Sequence, residues 1–218
     1  MWNAGVMVDI RTERGLDRLV NFSDATVAIA ITILVLPLVD LAATFGKTEN
    51  FGEFFVAHSS AFVAFGITFV VIGQFWVIHH RVFEWVIDYS YRMVWINLLW
   101  LASIVFLPFA ANALSNIKVR DGGVYALYIG TMVVTSLSMG LIEAHLNSHP
   151  ELLREDMRGQ IDMVRPVVMT SVMLLSLLLA VLLPVIGLFW LFLLFFASPI
   201  TSVVRRVRGS SGVTDVGR

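Results

Sequence analysis

Residues 18–42 read RLVNFSDATVAIAITILVLPLVDLA, a polar opening followed by an apolar run that ends near Asp40. A helix that crosses a bilayer needs about 20 mostly apolar residues, and this run is long enough. The whole chain of 218 residues is 58% hydrophobic and only 14% charged. A soluble domain carries about 25% charged residues, so the composition excludes a soluble globular protein and predicts an integral membrane protein.

Six stretches of the chain meet the length and hydropathy of a membrane span. They are residues 20–42, 55–78, 92–114, 122–146, 165–186 and 187–204. The last two adjoin at Pro184 and Gly187, which suit a tight turn, and one broken element is the alternative. The sequence therefore predicts an all-α protein with a single domain of six transmembrane helices over residues 1–208. The Gly/Ser-rich residues 209–218 are expected to form a disordered tail.

Lysine and arginine are unequally divided between the two sides of a chain with six spans. Both termini and the connections after spans two and four share one side, whose basic residues are Arg11, Arg14, Arg18, Arg81, Arg92, Arg154, Arg158, Arg165, Arg205, Arg206, Arg208 and Arg218. The other side carries only Lys47, Lys118 and Arg120. Because basic loops stay in the cytoplasm, we expect a multi-pass protein of the cell membrane with both termini cytoplasmic. The residues before Arg14 lack the apolar core of a removable signal peptide.

Charged and imidazole side chains stand at the start of the first span and the end of the second. A carboxylate such as Asp24 is costly at membrane depth unless it is paired or hydrated. Arg18 lies six residues earlier, and His79 and His80 reach the same predicted depth from the second span. We therefore expect a network that links Arg18, Asp24 and a histidine. The alternatives are helix capping by Asn21, Ser23 or Asp24, and histidines that merely lie at the membrane interface.

The remaining polar residues do not indicate a metal site or a catalytic site. Asn97 in the third span is expected to hydrogen-bond to a neighbouring helix. Adjacent histidines on a helix point about 100° apart, so no metal site is expected at His79 and His80. The chain has no cysteine, which excludes a disulfide and a thiolate nucleophile. No nucleophile–base pair is evident, so we expect no enzyme, no cofactor and no nucleic-acid partner.

These segments together resemble the transmembrane protein 175 family, the lysosomal potassium channels and their bacterial relatives. The family's mark is an arginine and then a Phe-Ser-Asp triplet that opens the first helix. The matching residues here are Arg18, Phe22, Ser23, Asp24, Trp76, His79, His80, Arg81, Phe83, Asn97, Leu98, Leu99, Phe106, Leu107, Pro108 and Phe109. The resemblance covers the first three spans, roughly half of the chain.

The resemblance implies a homotetramer in which four copies of the first span surround a potassium-conducting path. It also implies a hydrophobic constriction with a hydroxyl layer one turn away, at positions that are Ile29 and Thr32 here. The sequence contains no TVGYG-like stretch, which agrees with a path that lacks a carbonyl filter. The bracing network implied by the motif comprises Arg18, Phe22, Ser23, Asp24, Trp76, His79, His80 and Asn97.

Helix spacing extends this stripe outward. Ile29, Thr32, Leu36 and Asp40 follow one another at i, i+3, i+7 and i+11, so they share one face of a helix. Rings of isoleucine and leucine would form the constriction, and a ring of aspartate would attract cations. Pro37 is expected to bend the outer end of this span. The alternative is that the apolar members face lipid and Asp40 belongs to a loop.

Two functions compete on these residues. The first is a potassium-permeable cation channel whose partners are potassium ions, the lipid bilayer and further copies of the chain. The second is a proton- or ion-coupled transporter, in which Asp24, His79, Glu143 and His145 would carry protons. The position of Glu143 and His145 near the end of the fourth span also fits side chains that simply reach the interface. The sequence favours the channel.

Overall fold

The computed structural model describes residues 13–43, 50–116, 121–197, 199–203 and 205, and these form an all-helical chain. The α-helices are α1 (Glu13–Ile33), α2 (Leu36–Ala42), α3 (Phe51–Ala57), α4 (Ser59–Phe83), α5 (Tyr91–Ser115), α6 (Gly122–Ser148) and α7 (Val164–Leu182). Shorter 3-10 helices are Pro150–Leu152, Glu155–Met157 and Gly187–Phe196. The predicted tail 209–218, and Lys47, Lys118 and Arg120, lie outside the described residues.

Five helices in the described part are long and apolar enough to cross a membrane. They are Arg14–Ala42, Ser59–Phe83, Tyr91–Ser115, Gly122–Ser148 and Val164–Leu182. The chain is therefore a multi-pass membrane protein. The sixth predicted span corresponds to the shorter apolar segment Gly187–Val203, which begins as a 3-10 helix. This segment is shorter than the other five and its first ten residues have 3-10 geometry, so a count of six stays a prediction.

The turn before this segment depends on one glycine. Gly187 has a φ of +58°, a conformation that side chains other than glycine's rarely adopt. A Cβ added there would lie 2.8 Å from the Tyr125 hydroxyl oxygen. The close approach lets the chain turn sharply after α7 and pack Gly187–Phe196 back against α7 and α6.

The centre of the bundle is formed by α5 and α6. Helix α5 packs against α1, α4 and α6, and α6 packs in turn against α7. Trp100 on α5 and Tyr128 on α6 are completely buried. Half of the most apolar window of each of these two helices is buried, whereas the corresponding share of the first span is 17%. The first span therefore lies at the periphery of the single chain, with most of its surface uncovered.

The first span is broken into two helices. Helix α1 ends at Ile33, and α2 begins at Leu36 with Pro37 in its first turn. A proline has no backbone N–H, and its ring clashes with the carbonyl four residues earlier, here that of Ile33. The break confirms that Pro37 disturbs the outer end of this span.

The connections after α4 and after α6 meet at one end of the bundle. The Ile87 N–H donates to the Leu152 carbonyl at 2.9 Å, and the Arg154 N–H donates to the Trp85 carbonyl at 2.9 Å. These backbone bonds place both connections on the same side, as the topology requires. That this side is cytoplasmic remains a prediction.

Candidate functional site

Helix α1 presents two different faces. Ser23, Val27, Ala30 and Leu34 are buried, and their spacing of i, i+4, i+7 and i+11 makes one continuous stripe. This stripe faces the helix's own bundle, where α1 packs on α5 and α4. A peripheral helix that is fixed along one stripe leaves the opposite side free for another partner.

The predicted pore stripe lies on the uncovered side. Ile29 is 60% exposed and Leu36 is 54% exposed, and Thr32 and Asp40 are also exposed. Ile29 and Thr32 belong to α1, whereas Leu36 and Asp40 follow the break and belong to α2. The structure therefore brings Ile29 and Thr32 onto one rigid helix and positions the other two separately.

The hydroxyl of Thr32 has a defined orientation. It donates its proton to the Ile29 carbonyl at 2.8 Å. A hydroxyl oxygen keeps two acceptor lone pairs when its proton is engaged in this way. Thr32 therefore offers acceptor oxygen, not a donor, to whatever faces this side of α1.

A chain of buried polar side chains holds the opposite side of α1. The Asn97 amide donates to the Ser23 hydroxyl at 2.9 Å, and the Ser23 hydroxyl donates to the Leu19 carbonyl at 2.9 Å. The His79 Nε2 lies 2.8 Å from the Asn97 carbonyl oxygen, so the imidazole donates there. Ser23, His79 and Asn97 are each 0% exposed. Asn97 thus joins α1, α4 and α5 through one side chain, which confirms its expected hydrogen bond to a neighbouring helix.

Aromatic rings fix the imidazole. His79 stacks between Phe83 and Trp100, with ring centroids 4.2 Å away on both sides. Trp100 was not among the residues that the sequence singled out. A tryptophan in an apolar span gives no signal of its burial, and only its position one turn after Asn97 could have indicated it.

Asp24 has a partner other than the expected one. Its carboxylate accepts a hydrogen bond from the Trp76 Nε1 at 2.8 Å. The His80 Nε2 lies 3.3 Å from the Glu84 Oε1, and Arg18 is exposed. Within the described residues no salt bridge joins Arg18 to Asp24.

The expected Arg18–Asp24–histidine link is therefore not formed in the single chain. Residues six apart on a helix point about 120° apart, which explains why Arg18 and Asp24 face different surroundings. Phe22 is 55% exposed and also stays outside the network. The motif residues that come together are Ser23, Asp24, Trp76, His79 and Asn97.

The four groups that a transporter would use are not assembled into one site. Asp24 and His79 have the partners described above. The His145 Nε2 lies 2.7 Å from the Ser90 hydroxyl, and Glu143 lines a separate cavity. No group of three or more metal-ligating side chains occurs in the described part of the chain.

Three comparisons with known proteins bear on this geometry. The family model described as the endosomal/lysosomal potassium channel TMEM175 matches residues 18–108. A potassium channel of Streptomyces collinus is 30% identical over 135 residues, which are 59% of this chain and 63% of the relative. A potassium channel of Chamaesiphon minutus is 26% identical over 161 residues, 72% of this chain and 79% of the relative. The chain thus spans less than two thirds of the Streptomyces relative.

Two further matches are more distant. The endosomal/lysosomal proton channel TMEM175 of Danio rerio is 25% identical over 142 residues, 65% of this chain but 27% of the relative. The crystal structure of a lysosomal potassium-selective channel TMEM175 homolog from Chamaesiphon minutus matches with a TM-score of 0.57 and 22% identity. That match covers 84% of this chain and 98% of the other, and it indicates a shared fold. The matched residues 18–108 contain every member of the buried polar chain, and over this part the chain is similar to the TMEM175 family of potassium channels.

Proposed function

We propose that the chain is one subunit of a homotetrameric, potassium-permeable cation channel whose conduction path is lined by the first span. The observation that carries this proposal is the division of α1 into a buried stripe and an exposed stripe that contains Ile29 and Thr32. A helix braced along one side and bare along the other suits a position around a symmetry axis. The names of the two bacterial relatives support potassium as the permeating ion.

The constriction is assigned to Ile29. Four isoleucine side chains around an axis form an apolar ring, and such a ring closes a path by excluding water. Thr32 lies about 4.5 Å further along the helix. Because its proton is held by the Ile29 carbonyl, its oxygen lone pairs are available to an ion that has lost part of its water shell.

Leu36 and Asp40 extend the path outward in this proposal. Leu36 adds a second apolar ring, and four Asp40 carboxylates raise the local concentration of cations. Both residues lie on α2, beyond the break at Leu34 and Val35. Their distance from the axis is therefore set by α2, and a movement of α2 changes it without moving Ile29.

The buried polar chain is assigned the role of a brace. If α1 rotated by one residue position, about 100°, Ile29 would leave the axis and Ser23 would lose Asn97. Breaking a buried hydrogen bond costs about 1–3 kcal/mol when a partner is left unsatisfied, so the brace opposes this rotation. Arg18 and Phe22 are exposed on the single chain, and they take part only through a neighbouring subunit.

The channel is placed in the cell membrane with both termini in the cytoplasm. The excess of arginine on the side of the termini supports this orientation. In that orientation Ser23 and Asp24 lie towards the cytoplasm, and Asp40 lies towards the outside.

The proposal is tested by ion flux into liposomes that contain the purified protein. We expect potassium flux from the unmodified chain, and a changed conductance or selectivity from Ile29→Asn because a polar ring hydrates the constriction. Ile67→Asn is the matched control, since Ile67 is also exposed but lies on α4. Equal flux from the two variants would contradict the assignment of Ile29. Saturable flux that follows a pH gradient and disappears in Asp24→Asn would indicate the transporter instead.

A further inference from the structure

A cavity of about 190 Å³ lies at the end of the bundle where α4 and α6 end and α7 begins. Liquid water occupies about 30 Å³ per molecule, so this space has room for roughly six water molecules. It is separate from the exposed side of α1 and from the buried polar chain. Nothing in the proposed conduction path uses its residues.

Charged side chains surround the mouth of this cavity. Three arginines and two carboxylates line it: Arg81, Arg165, Arg205, Glu143 and Asp162. Asp162 is already engaged, because one oxygen pairs with Arg205 and the other accepts the Val164 N–H at 3.0 Å.

The remaining charges are two guanidinium groups and one carboxylate. Among the described residues neither Arg81 nor Arg165 forms a salt bridge within 4 Å. Both residues are exposed. Among the described lining residues Glu143 is the one other charge, so this part of the site has a net positive charge that an anion would balance.

The inner wall of the cavity is apolar. Ile78 from α4, Met139 from α6, and Met169 and Met173 from α7 contribute to it. Trp85 also lines the cavity, and tryptophan is enriched where a protein meets the membrane interface. A fully hydrated anion makes no favourable contact with an apolar wall, whereas the glycerol and first methylenes of a lipid pack against it.

We propose that this cavity binds the phosphate of an anionic phospholipid from the leaflet at this end of the bundle, with Arg81 and Arg165 as the phosphate-binding side chains. A guanidinium group offers paired N–H donors that match two phosphate oxygens. The apolar wall accommodates the adjoining part of the lipid. The site is lined by α4, α6 and α7, so a bound lipid ties these three helices together without contacting α1.

The test is native mass spectrometry of the intact protein released from detergent with defined lipids. Phosphatidylglycerol is the anionic probe, and phosphatidylcholine is the neutral one. We expect phosphatidylglycerol to bind at least about tenfold more tightly, a difference that corresponds to ~1.4 kcal/mol. The double variant Arg81→Gln/Arg165→Gln is expected to lose this preference.

The matched control is the double variant Arg92→Gln/Arg154→Gln. Both arginines are exposed, lie at the same end of the bundle and are absent from the cavity wall. It should keep the preference for phosphatidylglycerol. If both double variants lose the preference equally, binding reflects net charge alone and the proposed site is wrong.

A second pair of variants distinguishes a loss of lipid binding from a loss of folding. Met169→Trp fills the apolar wall and leaves both arginines in place, so it should also weaken phosphatidylglycerol binding. Leu178→Trp, on an exposed position of the same helix, should not. Unchanged binding in Met169→Trp would overturn the proposal. Displacement of bound phosphatidylglycerol by glycerol 3-phosphate, at the same concentration at which added phosphatidylglycerol displaces it, would also overturn the proposal. The site would then recognise a free phosphate and not a lipid. Neither result depends on whether the chain conducts ions.

Discussion

Replacing Asn97 by alanine removes a side chain that joins α1, α4 and α5. The substitution leaves the His79 Nε2–H without its acceptor, and Ser23 loses a donor but keeps its own bond to Leu19. Because His79 and Asn97 are 0% exposed, water does not replace the lost partner. Hydrogen bonds between membrane helices average only about 0.6 kcal/mol, but an unsatisfied buried donor costs about 1–3 kcal/mol.

We therefore expect Asn97→Ala to lower the free energy of unfolding by about 1–3 kcal/mol, with the unsatisfied imidazole as the main term. The matched control is Asn112→Ala on the same helix. Asn112 is exposed, and within the described part of the chain its side chain accepts a hydrogen bond from Asn116. Surface substitutions of this kind usually change stability by less than about 0.5 kcal/mol. Titration with SDS unfolds the detergent-solubilised protein and measures the free energy of unfolding of both variants.

A double-mutant cycle separates the brace from a simple loss of volume. If Asn97 acts through His79, the effects of Asn97→Ala and His79→Phe should be strongly non-additive, because each removes the same hydrogen bond. The reasoning is refuted if Asn97→Ala costs no more than Asn112→Ala, or if its effect simply adds to that of His79→Phe.

Three further predictions concern the first span and the turn after α7. Thr32→Val should keep the fold, since among the described residues its hydroxyl bonds to its own helix at the Ile29 carbonyl, and it should lower potassium conductance in bilayer recordings; unchanged conductance would exclude a role for the hydroxyl layer. Asp24→Ala should reduce the tetramer fraction in light scattering more than the conductance of the tetramers that remain, because it leaves the Trp76 N–H without an acceptor; intact tetramers would count against the brace. Gly187→Ala should destabilise the protein by about 1–2 kcal/mol through its positive φ, with additional crowding by the Tyr125 hydroxyl. A melting temperature equal to that of Gly66→Ala, where a Cβ meets nothing, would contradict this account of the turn.

Length and hydropathy were sufficient to predict the five long apolar helices of the described chain, but not which of them is buried. The windows of the first span and of α5 have similar mean hydropathy, 2.3 and 2.0, yet 17% of the first is buried against 50% of the second. In a soluble helix the polar side marks the surface. In lipid both sides are apolar, so the exposed position of Ile29 could only be suggested by the family resemblance.

The hydrogen-bond partners of Asn97 were also only partly predictable from the sequence. Asn97 was predictable as an interhelical hydrogen-bonding residue because an amide in an apolar span needs a partner. That its partners are Ser23 and His79 depends on how three helices rotate against one another, which no spacing along the chain contains. By contrast, helix periodicity alone indicates that Arg18 and Asp24 point in different directions.

The sixth predicted span shows what composition alone does not decide. Residues 187–204 are apolar enough for a span, but the described part begins as a 3-10 helix of ten residues. The 3-10 form has poorer hydrogen-bond geometry and seldom continues beyond a few residues. Hydropathy does not distinguish it from an α-helix, so the predicted count exceeds the five long helices in the described chain.

The central claim is that the chain forms a potassium-permeable path along the exposed side of α1. The most direct measurement is the reversal potential of the purified protein in a planar bilayer, with potassium on one side and sodium on the other at equal concentration. The account predicts a current that reverses away from zero, towards the potential that favours potassium, and a shift of that potential towards zero in Ile29→Asn. The absence of current, or a reversal potential that follows only an imposed pH gradient, would contradict it.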